Sequence, residues 1–214
     1  MPNPEQQIKA FGNIPILHPT LIAVLRDYKT PNNKIFRWVE EGVLLPVKRG
    51  MYVVSPTLTG KPVERLLIAN QLYGPSCVSL DYALWYYGLI PEQVMEVTSV
   101  TPRRSQVQET GMGRFSYQHL PEGLFPLGLE SVAVTGGGYA LLASPAKALC
   151  DRLVLTRQLR IHSIQAMQRF LLDDLRLDAD EANLIDLEVI AAYQQSGHKA
   201  ELLGHLYGAI KQWQ

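Results

Sequence analysis

The chain has 214 residues but only two cysteines, no surplus of either charge, and no apolar run long enough to span a bilayer. Cys77 and Cys150 lie far apart inside apolar runs. That spacing excludes a CxxC metal or redox site and leads us to expect two buried, reduced thiols. The opening MPNPEQQIKAFG lacks the apolar core of a signal peptide, so a soluble, cytoplasmic protein with no membrane partner is expected. Twenty Lys+Arg balance twenty Asp+Glu, which argues against a bulk nucleic-acid binder of the strongly basic kind. The balance is uneven, however. Up to Val54 there are seven bases and four acids, so the front carries three positive charges and the remainder three negative.

Catalytic motifs are missing too. His18, His119, His162, His198 and His205 are scattered. His198 and His205 can share a helical face, but two turns separate them, too far for one metal without other partners. Gly136-Gly137-Gly138 has no Lys-Ser/Thr after it and reads as a flexible turn, not a phosphate loop. There is no nucleophile elbow and no HExxH. The acidic run Asp173, Asp174, Asp178, Asp180 and Glu181 surrounds a helix start, where carboxylates complement the positive dipole end. We therefore expect no enzyme, no metal and no cofactor. Arg103, Arg104 and Arg114 read either as a solvated loop or as a clasp for phosphate or nucleic acid.

What is present begins with helical signals. Pro4 to Phe11 predicts a short helix capped by Asn3 and stopped by Gly12. Leu21, Ile22, Leu25 and Tyr28 predict an amphipathic helix over 19–28. Thr30 with Pro31 starts a second helix, with Ile35, Phe36 and Val39 as its inner stripe and Gly42 as its stop. LLPVK and MYVVS then predict a hairpin turning at Arg49-Gly50. Helix, turn, helix and basic hairpin are the parts of a winged helix-turn-helix. Asn32, Asn33, Lys34 and Arg37 fall on the outward side of the second helix, behind Thr30 at its start. Asn pairs bidentately with adenine and Arg with guanine, and Lys34 reaches a base or a phosphate. Lys48 and Arg49 at the hairpin tip suit a flanking phosphate or the minor groove, and Tyr52 behind it can donate to a phosphate. A helix with these residues outside is also what a solvated face looks like, and Glu40 and Glu41 fit that reading.

Behind the front, PVERLLIANQLY and DYALWYYGL predict helices, and CVSL, MEVTSV, FSYQHL, SVAVT and GYALLA predict strands. Without regular alternation of the two, α+β is favoured over a doubly wound sheet. From Ser144-Pro145 onward the pattern is helical. AKALCDRLVLT makes one helix, and Ser163 to Leu175 a second, with Ile164, Met167, Leu171 and Leu175 inward. A third opens at an Asp178–Glu181 capping box and ends at Gly197, and a fourth runs from His198. The expected architecture is thus an N-terminal winged helix-turn-helix (1–56) followed by a mixed α/β domain (57–214), strand-rich over 57–143 and helical over 144–214.

Three segments together resemble one family. KRGMYVV resembles the RG(V/L)Y motif ending the winged helix-turn-helix of AbiEi antitoxins, from bacterial abortive-infection (type IV) toxin–antitoxin pairs. CVSLDYALWYYGLIPE resembles that family's "S…SAL…hGL.P" helix through Ser79, Ala83, Leu84, Gly88, Leu89 and Pro91. ASPAKALCDRL resembles its "SPEKALLD" helix start through Ser144, Pro145, Lys147, Ala148, Leu149 and Asp151. The chain departs from the pattern at Asp81 and Tyr82, where a Ser commonly precedes Ala-Leu, and at Ala146, which replaces Glu. The resemblance implies a transcriptional autorepressor on inverted repeats of promoter DNA, as a dimer or by cooperative binding. It also implies antitoxin activity in the body against a nucleotidyltransferase-like toxin, with no stable complex required. Lys147 and Asp151, four apart, are expected to form an intrahelical ion pair. The alternatives are a protein-interaction module and a solitary regulator without a toxin.

Overall fold

The computed structural model describes residues 4–135 and 137–214, so Asn3 and Gly136 lie outside the described residues. The chain is α+β, as the irregular order of helical and strand signals predicts. At the front, α1 (Pro4–Lys9), β1 (Ile16–Leu17), α2 (His18–Val24), α3 (Pro31–Glu40), β2 (Leu44–Lys48) and β3 (Met51–Val54) follow one another. The three strands form an antiparallel sheet in the order β1-β3-β2. Pro46 is tolerated in β2 because that strand is an edge. Gly50 takes a φ of +79° at the hairpin turn, a conformation cheap only for glycine.

Two expectations for this front are corrected. α2, expected over 19–28, stops at Val24; Leu25 just after it is buried, while Tyr28 is exposed. Thr30 precedes Pro31 and is held out of the helical region, so the chain must turn before it. The inner stripe of α3 is Ile35, Trp38 and Val39, whereas Phe36 is 64% exposed. Trp38 is fully buried among Ile8, Ile16, Leu21, Leu25, Leu44 and Val54. An indole fills the gap between three short helices and the sheet in a way that Phe36, on the far side of α3, cannot.

The remainder comprises α4 (Pro56–Thr59), α5 (Arg65–Leu72), β4 (Cys77–Val78), α6 (Leu80–Tyr86), β5 (Val97–Thr101), β6 (Gln106–Thr110), β7 (Gly113–His119), β8 (Leu129–Ala133), β9 (Tyr139–Ala143) and α7 (Pro145–Leu155). These are followed by α8 (Ile164–Arg169), α9 (Leu187–Gln195) and α10 (Ala200–Trp213). Its strands form one mixed sheet, ordered β6-β7-β5-β4-β9-β8. Pairs β5–β7 and β4–β9 are parallel and the others antiparallel. Ser144 caps α7 through its hydroxyl, which accepts from the Lys147 amide at 3.2 Å. Beyond α8 the helix widens to a π-turn over Phe170–Asp174, with Met167 and Leu171 buried as their spacing predicts. The third C-terminal helix is two pieces. Asp178 caps a 3-10 segment, Ala179–Leu184, through the Asp180 amide, and Asp186 opens α9 anew through the Glu188 amide.

The hairpin serves both parts. Leu44 and Val54 point into the front core, while Val47, Met51 and Val53 belong to the core of the body. That follows from the alternation of a strand, which sends successive side chains to opposite faces. A boundary at 56/57 therefore follows the chain but cuts a packed surface. No helix among the described residues is long and apolar enough to cross a membrane.

Candidate nucleic-acid interface

Ten residues make α3, and its burial pattern sorts them cleanly. Ile35 and Trp38 face in, and Asn32, Asn33, Phe36, Arg37 and Glu40 face out. Three to four residues per turn put Asn33, Phe36 or Arg37, and Glu40 on one exposed stripe. Asn33 and Arg37 are side by side on it, as their spacing predicts.

The other residues singled out in the sequence go to different places. Thr30 is exposed at the head of α3, where its carbonyl, not its hydroxyl, accepts the Asn33 and Lys34 amides at 3.1 and 3.3 Å. Asn32 is anchored, with its Oδ1 3.0 Å from His18 Nε2. His18 in turn lies 6.2 Å, ring to ring, from Tyr52, and its amide donates to the Gly50 carbonyl at 2.8 Å. His18 thus links the starts of α2 and α3 to the hairpin turn, a role its isolated position in the sequence does not signal.

Lys34 is not outward. Its ammonium sits 3.6 Å from Glu5 and 5.0 Å above the Trp38 ring, with the side chain 19% exposed. Lys34 precedes Trp38 by four residues, so once the indole turns in, the lysine lies over it along the helix edge. Lys48 is also committed: its ammonium donates to the Leu72 carbonyl at 2.8 Å, tying the hairpin to the end of α5. Arg49 stands exposed at the tip, and Tyr52 is half-buried beside His18. Asn33, Phe36, Arg37 and Arg49 face solvent on this surface, with Thr30 at the head of α3, Glu40 at its far end and Asn32 held at the border.

A second polar set lies inside the body. Lys147 Nζ is 3.3 Å from Asp151 Oδ2, the expected helical ion pair, but both side chains are 0% exposed. Asp151 also accepts from the Ser79 hydroxyl at 2.7 Å and the Tyr193 hydroxyl at 2.6 Å. Lys147 donates to the Tyr193 oxygen at 2.8 Å. Burial pushes the Asp151 carboxyl upward against the pull of Lys147 and its hydrogen-bond donors, and burial pushes the Tyr193 phenol upward too. With every member sealed from solvent, the set joins the β4–α6 junction, α7 and α9 as a clasp. Among the described residues, no group of three or more His, Cys, Asp or Glu side chains could hold a metal ion. No protein-family model matches the chain, and no curated protein matches it in sequence.

Proposed function

We propose that residues 4–55 form a winged helix-turn-helix that binds duplex DNA, and that the chain is an autorepressor and antitoxin of the AbiEi kind, acting in the cytoplasm. The observation that carries the reading is the exposed stripe of α3. Asn33 and Arg37 stand on it one turn apart, beside a hairpin whose tip presents Arg49. The element order from α1 to β3 supports that reading, under which α3, as the second helix of the helix-turn-helix, would enter the major groove. Asn33 would read adenine, Arg37 guanine, and Arg49 a flanking phosphate. Phe36, between them, offers an apolar edge of the kind that contacts the thymine methyl.

The antitoxin part rests on the resemblance, and the clasp supports it. Ser79 comes from one motif segment, Lys147 and Asp151 from another, and their side chains bond each other in the core. Antagonism of a nucleotidyltransferase-like toxin would then belong to the body that this clasp holds together. The test is retardation of the duplex upstream of the chain's own gene. Arg37→Ala should weaken binding at least tenfold, about 1.4 kcal/mol or more for a lost bidentate contact. An unchanged shift removes α3 from the interface. Co-expression with the neighbouring reading frame tests neutralisation. Exposure of Phe36 also suits docking on another protein, and co-purification of a partner without any promoter shift would select that reading instead.

A further inference from the structure

The three arginines that stand out in the body part company in the fold. Arg114 on β7 is held between Glu96 and Glu109, at 3.3 and 3.2 Å, and is neutralised there. Arg103 and Arg104 lie in the β5–β6 loop, exposed, with no carboxylate within ion-pairing distance among the described residues. Their backbone is pinned. The Tyr73 hydroxyl donates to the Arg104 carbonyl at 3.2 Å, His119 Nδ1 is 3.0 Å from the Arg103 carbonyl, and the Arg103 amide donates to Thr101 Oγ1 at 3.2 Å. The Arg103 guanidinium stands 6.0 Å above the Tyr73 ring, over a cleft of about 570 Å³. A fixed loop that presents two unneutralised guanidiniums loses little freedom when it takes up an anion.

The cleft adjoins the hairpin. Lys48 reaches the carbonyl of Leu72, the residue before Tyr73, and Gln108 Nε2 lies 3.5 Å from the same oxygen. Arg104 is four residues from Gln108 along the chain, at most about 14 Å at roughly 3.4 Å per residue. Gln108 and Lys48 meet at the Leu72 carbonyl, and Arg49 follows Lys48 in the chain. We propose that Arg103 and Arg104 form a second phosphate clamp, on the body, gripping the same duplex that α3 and the hairpin hold. The clamp rests on the DNA-binding reading of the front, and it adds affinity without reading sequence, since phosphates carry none.

The test uses the full chain with R103A/R104A, on the promoter duplex and a scrambled duplex of equal length. Alanine keeps the backbone groups that pin the loop. Both affinities should fall by the same factor, and the slope of log K against log salt should flatten by about 1.8, the value for two lost phosphate contacts. Over a fourfold rise in salt the wild type then loses about twelvefold more affinity than the variant. R103K/R104K should restore the slope. A wild-type slope in R103A/R104A, with Arg37→Ala still weakening the promoter complex, overturns the clamp and leaves the front intact. Failure of the wild type to bind either duplex overturns both. Calorimetry with inorganic phosphate separates the remaining source of the same chemistry. Phosphate binding lost in R103A/R104A, with the DNA curves unchanged, would make the cleft a small-anion site and overturn the clamp.

Discussion

Replacing Lys147 with methionine keeps the volume of its stem but leaves Asp151 buried with no cation beside it. The carboxyl is already pushed up from 3.8 by burial, with Lys147 the largest opposing influence. Without the ammonium, the folded chain must hold Asp151 protonated while the unfolded chain ionises it near 3.8. A proton bound more tightly in the folded than in the unfolded state makes stability fall as pH rises above that value. At about 1.4 kcal/mol per pH unit while the folded variant keeps that proton, Lys147→Met should lose about 3 kcal/mol of its own stability between about pH 5 and about pH 7, more than wild type loses over the same interval. Removing one partner of a buried pair costs roughly 3–5 kcal/mol in general, so the loss is large enough to resolve. Urea denaturation followed by circular dichroism at the two pH values measures it. Lys147→Met/Asp151→Asn, which has no carboxyl to titrate, should show no such pH dependence. An equal loss for Lys147→Met at both pH values would refute the reasoning, because the penalty would then come from packing and not from an orphaned charge.

Two further predictions rest on named contacts. Phe36→Ala should weaken the promoter complex severalfold but leave scrambled duplex binding unchanged. Replacing operator thymines by uracil, which removes only the 5-methyl group, should cost the wild type a similar factor and the variant nothing more; additive losses would show that Phe36 touches no methyl. Gly128 has a φ of +66°, and an added Cβ would lie 2.8 Å from Ser144 Oγ and 2.9 Å from Lys147 Cβ and Val189 Cγ1. Gly128→Ala should therefore cost at least about 2–3 kcal/mol from crowding and backbone strain. Gly42→Ala, with φ +69° but open space around it, should cost only about 1 kcal/mol. Equal melting temperatures for the two would contradict the crowding at the start of α7.

Local signals determined much of the front: Pro31 at the start of α3, Gly42 after it, and the Arg49-Gly50 turn all act within a few residues of themselves. Ser144-Pro145 likewise announced α7 by capping chemistry alone. Which way α3 faces was not local. Phe36 and Trp38 stand about 200° apart on a helix of 3.6 residues per turn, and either one completes an apolar stripe with Ile35 and Val39. Only the pocket formed by α1, α2 and the sheet decides for the indole, and that choice carries Lys34 inward to Glu5 and leaves Phe36 exposed. β6 was hidden because QVQET is a polar edge strand, recognisable only by its pairing with β7. The Lys147–Asp151 spacing gave the ion pair, but its burial depends on Ser79 and Tyr193 arriving from 72 and 42 residues away from Asp151. The sequence by itself determined the start of α3, the Ser144 cap of α7 and the hairpin turn, because those depend on near neighbours. The tertiary structure alone decided which charges meet solvent, because burial depends on what the rest of the chain lays over each residue.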